Sequence, residues 1–302
     1  MRGWWQDLGD LVLPAECGGC GTPRTVLCPE CRAALNGAVP SRVRPVPEPL
    51  GLPVVHAATR YADEVRAVLL AHKERGALAL AGPLGTALAG AVRAGVDETP
   101  PGRRGVLLVP VPSARRAVRA RGHDPARRIA LAAAGDLRAS GTPARVLAVL
   151  RQRRGVADQA GLNSRQRLDN LAGALSVAPG GGRLLAGAGA VVLVDDLMTT
   201  GASLAEAARA VREAVGGGEA AAGGREWAGE VGDVRRVGNA VYADAGREVR
   251  GQRRTGAVGA GVAADVERRP GVAGMVATGA FGGMICAAVV AATPDSFETN
   301  WN

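Results

Sequence analysis

The sequence predicts an α/β protein, in which a parallel sheet with helices on both faces follows a small cysteine-rich module. Three observations support this fold class. Short apolar runs alternate with helical patterns from residue 54 onward, as in chains of strand–helix–strand units. The run of residues 191–194 is apolar without alternation, which is typical of a strand buried on both faces. Four of the five cysteines form two close pairs before residue 32. The composition, 47% hydrophobic and 22% charged, excludes a wholly disordered chain.

The elements follow in order along the chain. Residues 10–45 form the cysteine-rich module, and a proline-rich linker separates it from the α/β domain. That domain is predicted to span residues 54–216 and 284–300. Between the two stretches, residues 217–283 are rich in glycine and without clear periodicity, and they are interpreted as a flexible insertion. Strands are predicted over residues 54–61, 105–111, 145–150, 190–194 and 285–291, and helices over residues 63–75, 78–94, 125–139 and 203–215.

The cysteine pairs indicate a metal site. Cys17 and Cys20 form one C-x2-C turn, and Cys28 and Cys31 form a second. Each turn points two thiolates at one centre, so two turns complete a tetrahedral zinc site. A disulfide framework would need an oxidising compartment, for which no secretion signal is evident, and a redox C-x-x-C motif would not come twice. We therefore expect a structural Zn²⁺ that folds the segment without taking part in catalysis. Cys286 is expected to be a small buried residue in a strand.

The strongest signal is a run of four apolar residues that leads into two aspartates, a short loop and an alanine-rich helix. The N–H groups of such a loop and of the helix N-terminus suit a monophosphate, and a glycine lets the backbone approach it closely. The two carboxylates can accept hydrogen bonds from vicinal ribose hydroxyls or face a hydrated Mg²⁺. A turn with a capping residue would explain only part of this arrangement. The predicted site comprises Asp195, Asp196, Leu197, Met198, Thr199, Thr200, Gly201, Ala202 and Ser203.

The distribution of charge also favours phosphate ligands. The chain carries 37 basic and 28 acidic side chains, a formal net charge of +9, and Lys73 is its single lysine. Thirteen of the arginines lie between residues 103 and 154, where the acidic residues are Asp124 and Asp136 alone. A local positive field of this kind suits a nucleotide or a nucleic acid.

The motif of four apolar and two acidic residues, two variable positions and Thr-Thr-Gly resembles the phosphoribosyl-pyrophosphate (PRPP) motif of type I phosphoribosyltransferases. The resemblance extends to the ComF family of competence-associated, phosphoribosyltransferase-like proteins and covers roughly residues 10–216 and 284–300. It rests on the paired cysteines and on segments in this order: Tyr61 with Lys73-Glu74-Arg75-Gly76, Val109-Pro110-Val111-Pro112, Arg121-Gly122-His123-Asp124, Gln159-Ala160-Gly161-Leu162 with Arg165-Gln166-Arg167 and Asn170, and the end from Ala288 to Phe297.

The resemblance implies a type I phosphoribosyltransferase-like sheet and a role for each motif. Asp195 and Asp196, the catalytic candidates, would hold the ribose hydroxyls, and the loop from Thr199 to Ser203 would hold the 5′-phosphate. The pyrophosphate would lie near the loop after the second predicted strand, with basic groups that suit its charge. Those groups are Lys73, Arg115, Arg116 and Arg121.

Several residues keep two interpretations. Lys73 either meets a phosphate or is a solvent-facing helix residue. Arg119, Arg127 and Arg128 are interpreted as solvent-facing. His123 stands where many relatives have phenylalanine, and it either binds a phosphate or points into solvent. Asp124 is expected to cap the next helix, with Pro125 at its first position. Residues 151–170 are expected to be a mobile loop over the pyrophosphate or a plain exposed connection.

Two functions from different classes follow. The first is an enzyme that binds Mg²⁺–PRPP and transfers the ribosyl group to an unknown acceptor, with catalysis by positioning and by charge neutralisation of the leaving group. The second is a non-catalytic competence protein that binds single-stranded DNA or senses PRPP, although aromatic residues for base stacking are scarce. A cytoplasmic protein is expected. The uncharged stretch 271–293 is not expected to span a membrane, because it is mostly glycine and alanine and lacks an N-terminal aromatic belt.

Overall fold

A computed structural model describes residues 16–97, 105–153, 166, 170–222 and 284–297, with the backbone alone for 217–222. Both sheets and the helices that cover them lie within these ranges.

Eight strands form two sheets. The main sheet has six strands in the order β1-β2-β8-β7-β3-β4, and β5 pairs with β6 in a small antiparallel sheet. Within the main sheet β1 is antiparallel to β2, and all the other neighbours are parallel. The strands are β1 (Ser41–Val43), β2 (Val55–Arg60), β3 (Val106–Pro110), β4 (Ala144–Val146), β5 (Leu150–Gln152), β6 (Leu175–Val177), β7 (Ala190–Met198) and β8 (Met284–Ala292).

Seven α-helices have both ends within the described residues. They are α1 (Pro29–Asn36), α2 (Asp63–Glu74), α3 (Ala81–Asp97), α4 (Arg115–Arg121), α5 (Pro125–Ala139), α6 (Gly181–Ala186) and α7 (Ala202–Ala222). Two short 3₁₀ segments, Leu78–Leu80 and Pro294–Phe297, precede α3 and follow β8. Asp124 caps α5 by accepting from the N–H of Arg127 at 3.2 Å, and Pro125 is the first helical residue, which confirms that prediction.

The helices cover both faces of the main sheet. The first core cluster joins Val192 and Val194 of β7 to apolar residues of α2, α3 and α5. The second joins Val191 and Leu193 to apolar residues of α6 and α7. Alternate residues of one strand thus enter different cores, because successive side chains point to opposite faces. The predicted α/β architecture with a mostly parallel sheet is confirmed at this level.

The central position in the sheet belongs to the last strand of the chain. β8 pairs with β2 on one side and with β7 on the other, and its residues from Cys286 to Ala292 are buried. This explains the uncharged sequence of residues 285–291, which was predicted to be a buried strand. Residues 271–283 lie outside the described residues.

Several predicted boundaries were wrong. The predicted strand 145–150 is divided between β4 and β5, which belong to different sheets. The predicted strand 190–194 continues to Met198, so that both aspartates lie inside it. The predicted helix 78–94 begins as a 3₁₀ turn and ends at Asp97. The predicted helix 203–215 begins at Ala202 and runs to Ala222, while residues 223–283 lie outside the described residues.

One described helical stretch, Leu78–Asp97, is long and apolar enough by composition to cross a membrane. More than half of its apolar window is buried inside the protein, where Leu84, Leu88 and Val92 belong to the first core cluster. Packing against the sheet and α5 therefore accounts for its composition.

Candidate functional site

The carboxyl ends of the parallel strands carry the predicted acidic pair. β3 pairs with β7 only as far as Val194, whereas β8 continues alongside β7 to Met198. Asp195 and Asp196 therefore extend beyond the end of β3, on the last part of β7. In open α/β sheets, this edge is where ligands bind.

Lys73 reaches this edge from the last turn of α2. Its Nζ lies 2.8 Å from Oδ2 of Asp196, whose side chain is 9% exposed. Burial works against the charged ammonium, but the carboxylate of Asp196 outweighs it and raises the pKa of Lys73. The structure thus joins the chain's single lysine to the predicted acidic pair, which favours the functional interpretation of Lys73 over that of a solvent-facing residue.

Asp195 is the member of the acidic pair whose ionised form is disfavoured. Burial raises the pKa of its carboxyl well above the ordinary value, and the adjacent Asp196 adds to this effect while Lys73 opposes it. Its Oδ1 accepts from the N–H of Asp196 at 2.8 Å. The two carboxylates therefore repel each other, and only Asp196 is paired with the ammonium of Lys73 by the ion pair described above. Hydrogen-bond donors or a cation would relieve this repulsion.

The loop that follows β7 turns at a glycine with a left-handed backbone conformation. Gly201 has a φ of +72°, a region that favours glycine, and its carbonyl accepts from the N–H of Ala205 as α7 begins. A Cβ at Gly201 would lie 3.2 Å from Leu52 and 3.3 Å from Pro45, so one side of the loop is packed against the proline-rich linker. Thr199, Thr200 and Ser203 are partly exposed, which leaves this stretch accessible.

Arg121 is tied to the same end of α2 through Glu74, the last residue of that helix. Its Nη1 lies 2.8 Å from Oε1 of Glu74, and its side chain is 13% exposed. Its positive charge acts to lower the pKa of Lys73, so the two cations lie within electrostatic reach of one another. Asp124, three residues after Arg121, accepts from the N–H of Ser113, a residue in the loop after β3. The structure therefore brings Lys73 and Arg121 together, and ties the loop after β3 to the segment that carries Arg121.

Arg115 and Arg116 are placed differently. Both are exposed on the first turn of α4, about 9 Å along the helix axis from Arg121. No described contact links either residue to the acidic pair. Arg119, Arg127 and Arg128 are also exposed, as expected.

His123 lies between two backbone carbonyls. Its Nδ1 lies 3.2 Å from the carbonyl oxygen of Arg121, and its Nε2 lies 3.2 Å from that of His72. Its ring meets the ring of His72 edge to face, with centroids 5.5 Å apart. His72 is buried, and burial lowers its pKa, so it is neutral. Sequence reasoning missed Glu74, His72 and the role of His123, because their partners lie about 50 residues away.

The four N-terminal cysteines form a second candidate site. Their Sγ atoms all lie within 4.8 Å of one another, and those of Cys20 and Cys28 are 3.6 Å apart. Zn–S bonds of about 2.3 Å in a tetrahedron require sulfur–sulfur distances of about 3.8 Å, so the four sulfurs fit one metal ion. Three of the cysteines are buried, and Cys20 is exposed. Burial opposes ionisation of Cys17, but backbone N–H groups led by that of Cys28 outweigh it and lower the pKa of Cys17 to about 6.

Three of the four cysteines belong to the first core cluster of the protein. Cys17, Cys28 and Cys31 belong to the first core cluster together with Val68 of α2 and Leu80. A Cβ at Gly19, between the first two cysteines, would lie 2.5 Å from Sγ of Cys31. A side chain at that position would therefore displace the cluster. The cysteine segment packs directly on α2, whose last turn carries Lys73.

The candidate loop over the pyrophosphate lies largely outside the described residues, which include 151–153, 166 and 170 of the stretch 151–170.

In comparisons with known proteins, the chain matches no family model and no curated protein.

Proposed function

We propose that the chain is a phosphoribosyltransferase-like protein of the ComF type that binds PRPP with Mg²⁺ at the carboxyl end of β7. The observation that carries the proposal is the continuous unit of Asp195, Asp196 and the Gly201 turn at the start of α7, opposed by the ammonium of Lys73. Its residue types and order resemble the PRPP motif, and its parts lie at the ligand-binding edge of a parallel sheet.

Each part has a chemical role under this proposal. The loop N–H groups and hydroxyls bind the 5′-phosphate, as at other helix N-termini that follow a strand. Asp195 and Asp196 accept from the ribose hydroxyls. Lys73 and Arg121 neutralise the pyrophosphate, the leaving group of a ribosyl transfer through an oxocarbenium-like transition state. Mg²⁺, when bound with PRPP, supplies further positive charge to that leaving group. The acceptor of the ribosyl group stays unassigned.

The four cysteines are proposed to hold a structural Zn²⁺. Four thiolates within reach of one centre form a closed tetrahedral site with no open coordination position, which suits folding and not catalysis. The contact of this segment with α2 indicates that metal binding stabilises the helix that presents Lys73.

The decisive experiment is calorimetric titration of PRPP with and without Mg²⁺. We expect Mg²⁺-dependent binding to the wild type and its loss in the double variant Asp195→Asn/Asp196→Asn. Asp136→Asn is the matched control, because it removes an aspartate that pairs with Arg93, in a contact that involves neither β7 nor α2. Absence of binding at about millimolar PRPP, a weak affinity by any standard, would refute the proposal.

A second candidate function is non-catalytic binding of single-stranded DNA. The observation that favours it is α4, whose seven residues, all described, include no buried one, and which exposes three arginines. The exposed Arg127 and Arg128 follow at the start of α5. An exposed arginine surface of this kind suits a phosphate backbone.

Fluorescence anisotropy with a labelled oligothymidylate separates the two functions. DNA binding by α4 predicts that affinity falls steeply with salt and that the triple variant Arg115→Gln/Arg116→Gln/Arg119→Gln weakens it. That triple variant leaves Lys73 and both aspartates in place. Unchanged DNA affinity in the variant, or no affinity in the wild type, would rule out this second function.

A further inference from the structure

The C-terminal ends of α2 and α4 are tied together by polar contacts between residues about 50 positions apart. One is the ion pair of Arg121 with Glu74, and the other is His123, which spans the carbonyls of Arg121 and His72. We call these contacts the α2–α4 latch. It lies next to Lys73 in both sequence and space.

The contact from His123 to His72 acts on Lys73 through the backbone. The carbonyl of His72 belongs to the planar peptide group that joins His72 to Lys73. It also lies among the last carbonyls of α2, which lack partners within the helix. A donor at Nε2 of His123 therefore fixes the peptide plane from which Lys73 extends. The Lys73 side chain then has a defined starting point for its 2.8 Å contact with Asp196.

The α4 end of the latch is held by few other contacts. Because none of the residues of α4 is buried, hydrophobic packing does not fix this helix. Gly122, with a φ of +75°, ends α4 and turns the chain toward His123. The position of Arg121 therefore depends on Glu74, the last residue of α2, and on His123, which contacts the carbonyl of His72.

We propose that His123 is a positioning residue, whose imidazole holds the His72 carbonyl and thereby places the Lys73 ammonium at Asp196. The proposal deepens the proposed function, since Lys73 is one of the two cations assigned to the pyrophosphate. A neutral imidazole has one N–H and donates to one of the two carbonyls at a time, whereas an imidazolium donates to both. The bond from Nε2 to His72 is the one that matters for Lys73.

Two substitutions separate the two bonds. The amide nitrogen of Gln reaches about as far as Nε2 of His, and that of Asn about as far as Nδ1. His123→Gln therefore keeps the donor to the His72 carbonyl, and His123→Asn keeps only the donor to the Arg121 carbonyl. Both variants are polar and remove the same ring contact with His72, so they are matched in their cost to packing.

The single lysine gives a readout that needs no ligand. In protein labelled with ¹⁵N-lysine, the one side-chain ammonium signal belongs to Lys73, and its hydrogen exchange is slowed by the bond to Asp196. We expect His123→Asn to accelerate that exchange about fivefold, which corresponds to about 1 kcal/mol, the usual net value of one hydrogen bond. His123→Gln should stay near the wild type. Asp196→Asn provides the reference for a Lys73 without its ion pair.

Equal exchange rates in the two His123 variants would overturn the proposal, whether both match the wild type or both are faster. The first result would mean that the α2–α4 latch does not affect the Lys73 ammonium. The second would mean that loss of the ring contact alone explains the faster exchange. Calorimetry with PRPP and Mg²⁺ is the second measurement, and His123→Asn should weaken binding more than His123→Gln. If the wild type binds no PRPP, the proposed function fails, while the exchange rates still decide the role of His123.

Discussion

Removal of Lys73 offers the sharpest test of the electrostatics at the candidate site. Two unit charges 2.8 Å apart attract each other by about 1.5 kcal/mol in bulk water and about 6 kcal/mol at an effective dielectric constant of about 20. Asp196 is nearly buried, whereas the Lys73 side chain is 35% exposed, so solvent screens part of this attraction. We expect a coupling free energy of about 2–3 kcal/mol, between the values for surface pairs and for fully buried pairs.

The chain supplies a matched control for this measurement. Arg44 and Glu48 form an ion pair at the same 2.8 Å, but both side chains are more than one-third exposed. Such pairs contribute about 0.2–1 kcal/mol. The two pairs therefore have the same distance and differ in the burial of the carboxylate, which is 9% exposed in Asp196 and 39% exposed in Glu48.

The assay is a double-mutant cycle in urea for each pair at neutral pH. The first cycle uses Lys73→Met, Asp196→Asn and their combination, and the second uses Arg44→Met, Glu48→Gln and their combination. A coupling free energy for Lys73 and Asp196 no larger than that for Arg44 and Glu48 would refute the argument from burial.

The pH dependence of the same coupling checks its origin. Asp196 raises the pKa of Lys73 above the ordinary 10.5. A base whose pKa is higher in the folded state stabilises the protein fully below its unfolded pKa and loses that contribution as the pH rises through the folded value. The coupling should therefore be present at neutral pH and disappear only above about pH 10.5, the ordinary value for lysine.

Three further predictions address the neighbouring features. Asp195→Asn should stabilise the protein by roughly 1 kcal/mol at pH 7. The folded pKa of the Asp195 carboxyl lies above the ordinary 3.8, so its ionisation costs stability as the pH rises from 3.8 through the raised value. A variant no more stable than the wild type in urea at pH 7 would contradict this. Gly201→Ala should cost about 1–2 kcal/mol, because its φ is +72° and its Cβ would press on Leu52, whereas Gly216→Ala, in an open helical position, should be neutral or stabilising. Cys17→Ser, or removal of the metal by a chelator, should lower the melting temperature by more than about 5 °C, because Cys17 belongs to the first core cluster. Native mass spectrometry should show one Zn²⁺ in the wild type. An unchanged melting temperature after loss of the metal would count against a structural role.

The features that sequence reasoning located are those encoded in consecutive residues. The run from Asp195 to Ser203 and the two cysteine turns were recognised because the side chains that act together lie within a few positions of one another. The alternation of strands and helices was recognised for the same reason, since the periodicity of a buried face is local. Lys73 was singled out because the chain has no other lysine.

The features that sequence reasoning missed are set by distant partners. β7 was expected to end before its aspartates, because acidic residues disfavour strands, but pairing with β8, nearly 100 residues later, continues to Met198. α4 was not predicted, because its arginines give it no apolar face. The contacts of Glu74 with Arg121 and of His123 with His72 join two helix ends, and no local pattern encodes them.

The resting charges of the site bear on what kind of ligand it can accept. The described charges at the edge of the sheet include two adjacent carboxylates, one of which is held by Lys73. An anionic ligand that drew Lys73 away from Asp196 without bringing a cation would leave both carboxylates uncompensated, at a cost comparable to that of breaking a partly buried ion pair. A ligand that arrives with a divalent cation and also offers ribose hydroxyls supplies partners to the carboxylates at the same time as it occupies Lys73. Under the proposed function, the ion pair of Lys73 with Asp196 would therefore favour a metal–phosphoribosyl ligand over a free phosphate.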